Sequence, residues 1–144
     1  MTYSAEQLLN MIYNEKRLPP GFDQWDLIIN NEKRIPIAHR AAQYNFLPSD
    51  FSKWYLQNKY GRTTAHAAAS HGYLPPDFDR WYLRDNNYWT VAHEAAKFGH
   101  LPSNFNQWDL ADNFGNTVAQ IAYIHDHLPS NFDRWDLIKK DQEE

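Results

Sequence analysis

Apolar side chains recur along the chain in a fixed order and at a nearly constant interval. Each unit contains a Leu-Pro pair, a Phe four residues after that Leu, a Trp three residues further on and a second Leu two residues after the Trp. The first interval between Leu-Pro pairs is two residues longer than the three that follow, which are equal. A regular internal period is typical of proteins built from stacked repeats. The units begin at Leu18, Leu47, Leu74, Leu101 and Leu128, their Phe residues are Phe22, Phe51, Phe78, Phe105 and Phe132, and their Trp residues are Trp25, Trp54, Trp81, Trp108 and Trp135.

A second shared block, with small residues at helical spacing, lies between these units. It reads Thr-Val-Ala-His-Glu-Ala-Ala at residues 90–96, and related blocks begin at Pro36, Thr63 and Thr117. Thr is a good helix N-cap and Pro is tolerated at a helix start, so each block predicts a helix. The predicted helices end at residues that tolerate the left-handed conformation, namely Asn45, Gly72, Gly99 and Asp126.

The Phe and Trp of each unit share one face at helical spacing, so they predict a second, shorter helix, followed by a polar turn. The chain is therefore predicted to be an all-α solenoid of about four stacked helix-turn-helix units. The predicted boundaries are an N-terminal capping helix at 1–17, repeats at 18–46, 47–73, 74–100 and 101–127, and a C-terminal cap at 128–144 with a frayed charged end.

Composition narrows the function classes. The chain has 144 residues, a net charge of −4 and no cysteine. Mild acidity argues against direct nucleic-acid binding and against a polybasic membrane contact. The N-terminal residues lack the apolar stretch of a signal peptide, and no stretch reaches membrane-spanning length. We therefore expect one cytoplasmic, monomeric domain that binds neither membrane nor nucleic acid directly.

The block at 90–100, Thr-Val-Ala-His-Glu-Ala-Ala-Lys-Phe-Gly-His, resembles the first-helix signature of ankyrin repeats. The likeness recurs at residues 61–72 and 115–127 and, more weakly, at 36–46. The period of about 27 residues is shorter than the ankyrin period of 33, and the Phe/Trp segment stands where ankyrin repeats carry a Leu-rich second helix. The resemblance implies a scaffold for protein–protein recognition, and it implies that His39, His66 and His93 tie turn to helix by hydrogen bonds.

Other residues allow a structural and a functional interpretation. The repeated Phe and Trp residues predict core positions rather than stacking platforms for bases or sugars. No catalytic motif is present, because Lys97 stands where the zinc-protease motif beginning at His93 needs a second His. We therefore expect no enzyme activity and no cofactor. The pair His125 and His127 leaves one alternative open, a metal-dependent enzyme.

Positions that change identity from repeat to repeat are not needed for stacking, and we expect them to face outward. Two such rows lie on the predicted first helices, and other variable positions lie at the turn tips. The first row is Arg40, Ala67, Glu94 and Ile121, and the second is Gln43, Ser70, Lys97 and Ile124. Exposed Trp, Tyr and Arg anchor many interfaces. The alternative is that the rings at the tips fold back over neighbouring turns. The candidate partner-binding residues are Arg40, Gln43, Tyr60, Arg62, Tyr88, Trp89, Glu94, Lys97 and Phe114.

These observations predict a protein–protein interaction module, such as a small inhibitor, an immunity protein or an adaptor, with an unidentified protein partner. A second hypothesis is mimicry of nucleic acid by a ridge of acidic residues, which would block a DNA- or RNA-binding protein. That ridge comprises Asp23, Asp26, Asp77, Asp79, Asp85, Asp109, Asp112, Asp133 and Asp136.

Overall fold

The computed structural model describes residues 2–139 and contains five short α-helices in a row. They are α1 (Ala5–Asn10), α2 (Ile37–Gln43), α3 (Thr64–His71), α4 (Val91–Phe98) and α5 (Val118–Ile124). A π-helical turn, Met11–Glu15, continues α1, and a 3-10 turn lies at Trp135–Leu137. Helices α1 to α4 each pack against the next helix in sequence. Alanines fill the contacts between these helices, so the backbones approach closely and consecutive units share one core.

The prediction of an all-α fold is wrong. Strands β1 (Ile28–Asn30) and β2 (Ile35–Pro36) form a two-stranded antiparallel sheet, so the fold is mixed although helices dominate. The two extra residues of the first interval lie in this hairpin and give it room for paired strands. Three later hairpins keep one antiparallel bridge each, at Gln57↔Thr63, Arg84↔Thr90 and Ala111↔Thr117.

The predicted second helix of each repeat is also wrong. In the unit that begins at Leu47, the segment forms two separate turns, closed by N–H donation from Phe51 to the Pro48 carbonyl at 3.1 Å and from Leu56 to the Lys53 carbonyl at 3.2 Å. Other units repeat these turns, and only the last contains helical residues, Trp135–Leu137. A Phe–Trp spacing of three suits a helix and two successive turns alike, and the Pro, Ser and Asp content favours turns.

Helix ends follow the sequence signals. Thr63 and Thr90 cap their helices through hydroxyl groups that accept the amide N–H of His66 and His93, whereas Pro36 makes no side-chain cap. The residues predicted at the C-terminal ends have φ of 65° at Asn45, 76° at Gly72, 77° at Gly99 and 63° at Asp126. Those predictions are confirmed. The capping helix at the N-terminus spans residues 5–15, and residues 140–144 of the predicted C-terminal cap lie outside the described residues.

The Phe and Trp residues form one continuous aromatic ladder through all the units. Ten rings alternate from Phe22 to Trp135, each edge-on to the next, with centroids 4.7–5.6 Å apart. The eight inner rings are buried, so their prediction as core positions is confirmed, whereas Phe22 is half-buried and Trp135 is exposed at the ends of the ladder. Edge-to-face pairs contribute about 0.5–1.5 kcal/mol each beyond their burial.

The buried histidines link each helix to the next hairpin. In α3 the His66 Nδ1 accepts the backbone N–H of Thr63 at 3.0 Å, and its Nε2 donates to the Trp89 carbonyl at 2.8 Å. His39 and His93 donate likewise to the carbonyls of Leu56 and Asn116. The role that the ankyrin resemblance implied for these residues is confirmed. Burial lowers the pKa of His39 and of His66 to about 4, and it lowers the pKa of His93 as well.

We expect these histidines to make the fold acid-sensitive. The folded-state pKa of His66 lies below its usual value of 6.5, so the unfolded chain binds the proton first. The contribution of neutral His66 to the free energy of unfolding is complete above pH 6.5. It is lost as the pH falls towards 4, and for a pKa shift of this size the loss is roughly 3 kcal/mol. His66→Gln should therefore cost stability at neutral pH and flatten the pH dependence, as measured by urea unfolding at several pH values.

The chain itself contains a glutamine at the position equivalent to His66. Gln120 fills the same position in α5, where its side chain exchanges hydrogen bonds with the backbone of Lys139. Gln120→His should conversely steepen the pH dependence. An equal gap in free energy of unfolding between wild type and His66→Gln at pH 7.5 and pH 5 would contradict the assignment.

The aromatic ladder makes a second prediction. Trp81→Ala removes a buried ring that contacts Phe78 and Phe105, and should lower the free energy of unfolding by about 3–5 kcal/mol. Trp81→Phe keeps one ring and should lose less. Tyr82→Ala is the control, since this neighbour is 55% exposed and should change stability by at most about 0.5 kcal/mol. Similar losses at Trp81 and Tyr82 in chemical unfolding would contradict a structural role for the ladder.

Candidate functional site

Four hairpins connect the aromatic turns to the helices. In the first, Asn30 Oδ1 accepts the backbone N–H of Lys33, and the other three share one pattern. The oxygen at the start of the turn accepts two backbone N–H groups, two and four residues further on, at 2.8–3.1 Å. Such turns need a short Asn or Asp side chain. The residues in this role are Asn58, Asp85 and Asp112. Asp85 and Asp112 are two of the nine carboxylates of the predicted acidic ridge, and they therefore belong to the hairpins.

Backbone hydrogen bonds join the four hairpins into a single edge. Lys59 donates to the Lys33 carbonyl at 2.8 Å and Asn86 to the Tyr60 carbonyl at 3.0 Å. Asn113 donates to the Asn87 carbonyl at 2.8 Å. We call residues 30–35, 57–63, 84–90 and 111–117 the hairpin edge. Because each hairpin is bonded to the next, side chains on this edge are held at fixed intervals by the backbone.

Three large rings stand out from the hairpin edge, and all three were candidate anchors. Phe114 is 76% exposed, Tyr60 53% and Tyr88 45%. The ring of Tyr88 is contacted by the guanidinium of Arg84, whose central carbon lies 3.8 Å from the ring centroid. The structure thus leaves these rings accessible, and the fold-back alternative applies at most to one face of Tyr88.

Tyr88 occupies a backbone position that normally favours glycine. Its φ is 65°, and Gly61 and Gly115 fill the equivalent position with φ of 79° and 83°. A non-glycine residue held in this region costs on the order of 1–3 kcal/mol. The hairpin therefore keeps a bulky ring where glycine would serve the fold better.

Trp89 does not stand on the surface with the other rings. It is half-buried, its ring lies 4.9 Å from that of His93, and its Nε1 donates to Glu94 Oε1 at 2.8 Å. Its carbonyl accepts the hydrogen bond from His66 described above. These contacts assign Trp89 a structural role, so its prediction as an exposed anchor is wrong.

The first row of variable helix positions faces inward rather than outward. Ala67, Glu94 and Ile121 are all buried, and only Arg40 of this row is half-buried. Sequence comparison between repeats misses this because a buried site can vary where each repeat pairs it with a different neighbour. The neighbour of Glu94 is Arg62, whose Nη2 lies 2.9 Å from Glu94 Oε2.

The Glu94 carboxylate is charged in spite of its burial. Burial alone raises the pKa of this carboxyl, but the hydrogen bond and charge of Arg62 and the N–H of Trp89 outweigh it and lower the pKa. The structure thus brings three predicted site residues, Arg62, Trp89 and Glu94, into one cluster. This cluster joins the hairpin that precedes α3 to the next unit, and it leaves the Arg62 side chain one-third exposed.

The remaining candidates lie on the helices, separate from the hairpin rings. Arg40 donates to Gln43 at 3.1 Å within α2, and both are half-buried. Lys97 is exposed on α4, with its ammonium 5.3 Å from the ring of Phe98. These polar contacts remain within single helices, and they provide a weaker case for a shared surface than the hairpin edge.

Several exposed tyrosines were missed by sequence reasoning. Tyr55 and Tyr82, each directly after a ladder Trp, are 53% and 55% exposed, and Tyr44 at the end of α2 is 45% exposed. The sequence does indicate the exposure of Tyr55 and Tyr82, because the position after the Trp is Asp in three units and Tyr in two. That variation marks a position outside the core.

The geometry gives little support to the two alternative functions, a metal-dependent enzyme and mimicry of nucleic acid. His127 contacts the Ala96 carbonyl through Nδ1 at 2.9 Å, and His125 is exposed at the end of α5. Within residues 2–139, no three His, Asp or Glu side chains converge to hold a metal ion. The acidic ridge retains seven exposed carboxylates, all on the Phe/Trp turns: Asp23, Asp26, Asp77, Asp79, Asp109, Asp133 and Asp136.

Rigidity of the hairpin edge can be tested at two glycines with nearly equal φ. A Cβ at Gly61 would lie 2.7 Å from the backbone nitrogen of Asn86 in the next hairpin, whereas a Cβ at Gly115 would meet nothing within 4 Å. Gly115→Ala should cost about 1 kcal/mol for its positive φ alone. Gly61→Ala should cost clearly more, because it also separates two hairpins. Equal losses in thermal and urea unfolding would contradict tight hairpin-to-hairpin packing.

No protein-family model matches the chain, and no curated protein matches it either. The ankyrin resemblance therefore rests on the quoted residues alone and stays a prediction. Within residues 2–139, no helix has the length and apolar character needed to cross a membrane.

Proposed function

We propose that the chain is a protein–protein interaction module that binds its partner through the hairpin edge. The observation that carries this proposal is the set of exposed rings at Tyr60, Tyr88 and Phe114 on hairpins joined by backbone hydrogen bonds. Tyr and other aromatic residues supply large contact areas at low conformational cost and are enriched among the residues that dominate binding energy. The strained φ of Tyr88 supports a role that the fold itself does not require.

This arrangement suits recognition of a protein surface. Repeat units present one ring each, and packed helices lie about 8–10 Å apart, so three rings would cover a span of about 20 Å. A span of this size falls within the dimensions of a standard protein interface. A small inhibitor, an immunity protein or an adaptor would all use such a surface, and the proposal covers these three roles.

Affinity capture from the cell or host of origin tests the proposal. The variant Tyr60→Ser/Tyr88→Gly/Phe114→Ser removes the three rings and places glycine where its conformation is favoured. A matched control, Tyr44→Ser/Tyr55→Ser/Tyr82→Ser, removes three rings of similar exposure elsewhere. We expect a partner that binds wild type and control and is lost from the hairpin variant, with all three chains showing cooperative unfolding.

Other results would redirect the assignment. A partner retained by the hairpin variant and displaced by DNA would favour nucleic-acid mimicry by the Phe/Trp turns. Equal loss from the hairpin and control variants would contradict recognition through the hairpin edge.

A further inference from the structure

The hairpin edge carries a group of uncompensated positive charges. Lys33, Arg34, Lys59 and Arg84 are all exposed on it. Among residues 2–139, the ion pairs join Arg17 to Glu15, Arg62 to Glu94 and Arg134 to Asp136, so none involves these four cations. Positive charge on this edge is therefore available to a partner.

Three acidic residues lie on the same edge, and its five Lys and Arg residues, which include Arg62, outnumber them. The Asp85 and Asp112 carboxylates each accept two backbone N–H groups of their own turn, which holds them in place. Glu32 is the remaining acidic residue of the edge. The chain as a whole has a net charge of −4, so positive charge is concentrated here against the overall sign.

The contact between Arg84 and Tyr88 gives this charge a defined geometry. With the guanidinium carbon 3.8 Å from the ring centroid, one face of the guanidinium is occupied by the ring. Its N–H groups point outward from the rim of the guanidinium plane, where they can bind a carboxylate with two parallel hydrogen bonds. Part of the Tyr88 ring stays exposed beside this position.

We propose that the hairpin edge recognises an acidic segment of a partner protein, with a carboxylate on Arg84 and an apolar side chain against Tyr88 and its neighbouring rings. This proposal rests on the proposed function and specifies the chemistry of the partner. A nucleic-acid strand fits less well, because a long polyanion would be repelled by a chain of net charge −4 and would meet only four unpaired cations on this edge.

A random dodecapeptide library displayed on phage, selected on the purified chain at about 50 mM NaCl, tests the proposal. Enriched peptides should carry an excess of Asp and Glu over the starting library, together with a large apolar residue. Their Kd should rise by about tenfold or more for Lys59→Gln/Arg84→Gln, because opposite charges at an interface are removed.

Two matched variants sharpen the result. Lys53→Gln/Arg80→Gln removes the same net charge from the Phe/Trp turns and should change Kd less than about twofold. Arg84→Lys keeps the charge but loses the planar fork, and should bind more weakly than wild type yet more tightly than Arg84→Gln. Thermal unfolding of each variant establishes that these surface changes leave the fold intact.

Several outcomes would overturn the acidic-segment proposal. Enriched peptides without acidic excess would do so, as would equal weakening by the two double variants or failure to enrich any peptide family. Displacement of the peptides by oligothymidine at similar concentration would assign the edge to nucleic acid. Salt-sensitive dimerisation abolished by Lys59→Gln/Arg84→Gln would assign it to a second copy.

The proposed function can survive a failure of this inference. Uncharged peptides that bind wild type and are lost from Tyr60→Ser/Tyr88→Gly/Phe114→Ser would retain the binding edge and remove only its acidic specificity. If no peptide is enriched and no partner is captured, both proposals fail.

Discussion

Edge-to-face contact between a Trp of one unit and the Phe of the next is the interaction on which the stack depends. Within a unit the Phe and Trp are three residues apart and also meet edge-on, so contacts within and between units have the same geometry. The ladder therefore continues from one unit to the next, with centroids 4.9 Å apart within the unit and 5.5 Å apart between units. Its backbone serves a second purpose, since the Trp54 carbonyl accepts the N–H of Ala65 at the start of α3, and the other units repeat this bond. Aromatic packing and helix position are thereby fixed together.

This ladder explains how so short a repeat folds with a single helix. Two rings in two turns bury the surface that a second helix would otherwise cover. The helix that remains is seven or eight residues long, too short to be stable alone. In α3 and α4 it is held at both ends, by the Thr cap and the buried His at its start and by the left-handed residue at its end. Helices α2, α3 and α4 also each give a His hydrogen bond to the following hairpin, which makes the position of that hairpin depend on the preceding unit.

The sequence predicted features set by chemistry inside one repeat. Thr caps, left-handed helix ends and core Phe and Trp residues follow from side-chain properties that operate locally. Features that depend on the neighbouring unit were not predictable in the same way. Glu94 looks like a surface residue until Arg62 and Trp89 of adjacent hairpins are placed around it. The Phe/Trp segment was wrongly predicted as a helix because a spacing of three is shared by helices and by successive turns.

The candidate site was predictable in part for the same reason. Tyr88 could be recognised from the sequence, because it occupies a position that is glycine in two other repeats. Trp89 could not be separated from it, since adjacent residues of a hairpin point to opposite sides and only the structure shows which side is covered. The concentration of unpaired cations on the hairpin edge was hidden by the net negative charge of the chain, which averages over surfaces that the fold separates.

Stability and the proposed recognition belong to different parts of each unit. The ladder, the alanine-filled helix contacts and the buried histidines keep their residue types through most repeats, whereas the hairpin tips carry Arg34, Gly61, Tyr88 and Gly115 at one backbone position. Backbone hydrogen bonds hold that position whatever its side chain, because they use N–H and C=O groups that every such residue possesses. The tip can therefore change its chemistry where it has room, as at Gly115, but not at Gly61, where a Cβ would meet Asn86 of the next hairpin. A strained residue such as Tyr88 is tolerated because its cost falls on one hairpin while the ladder stabilises the whole chain.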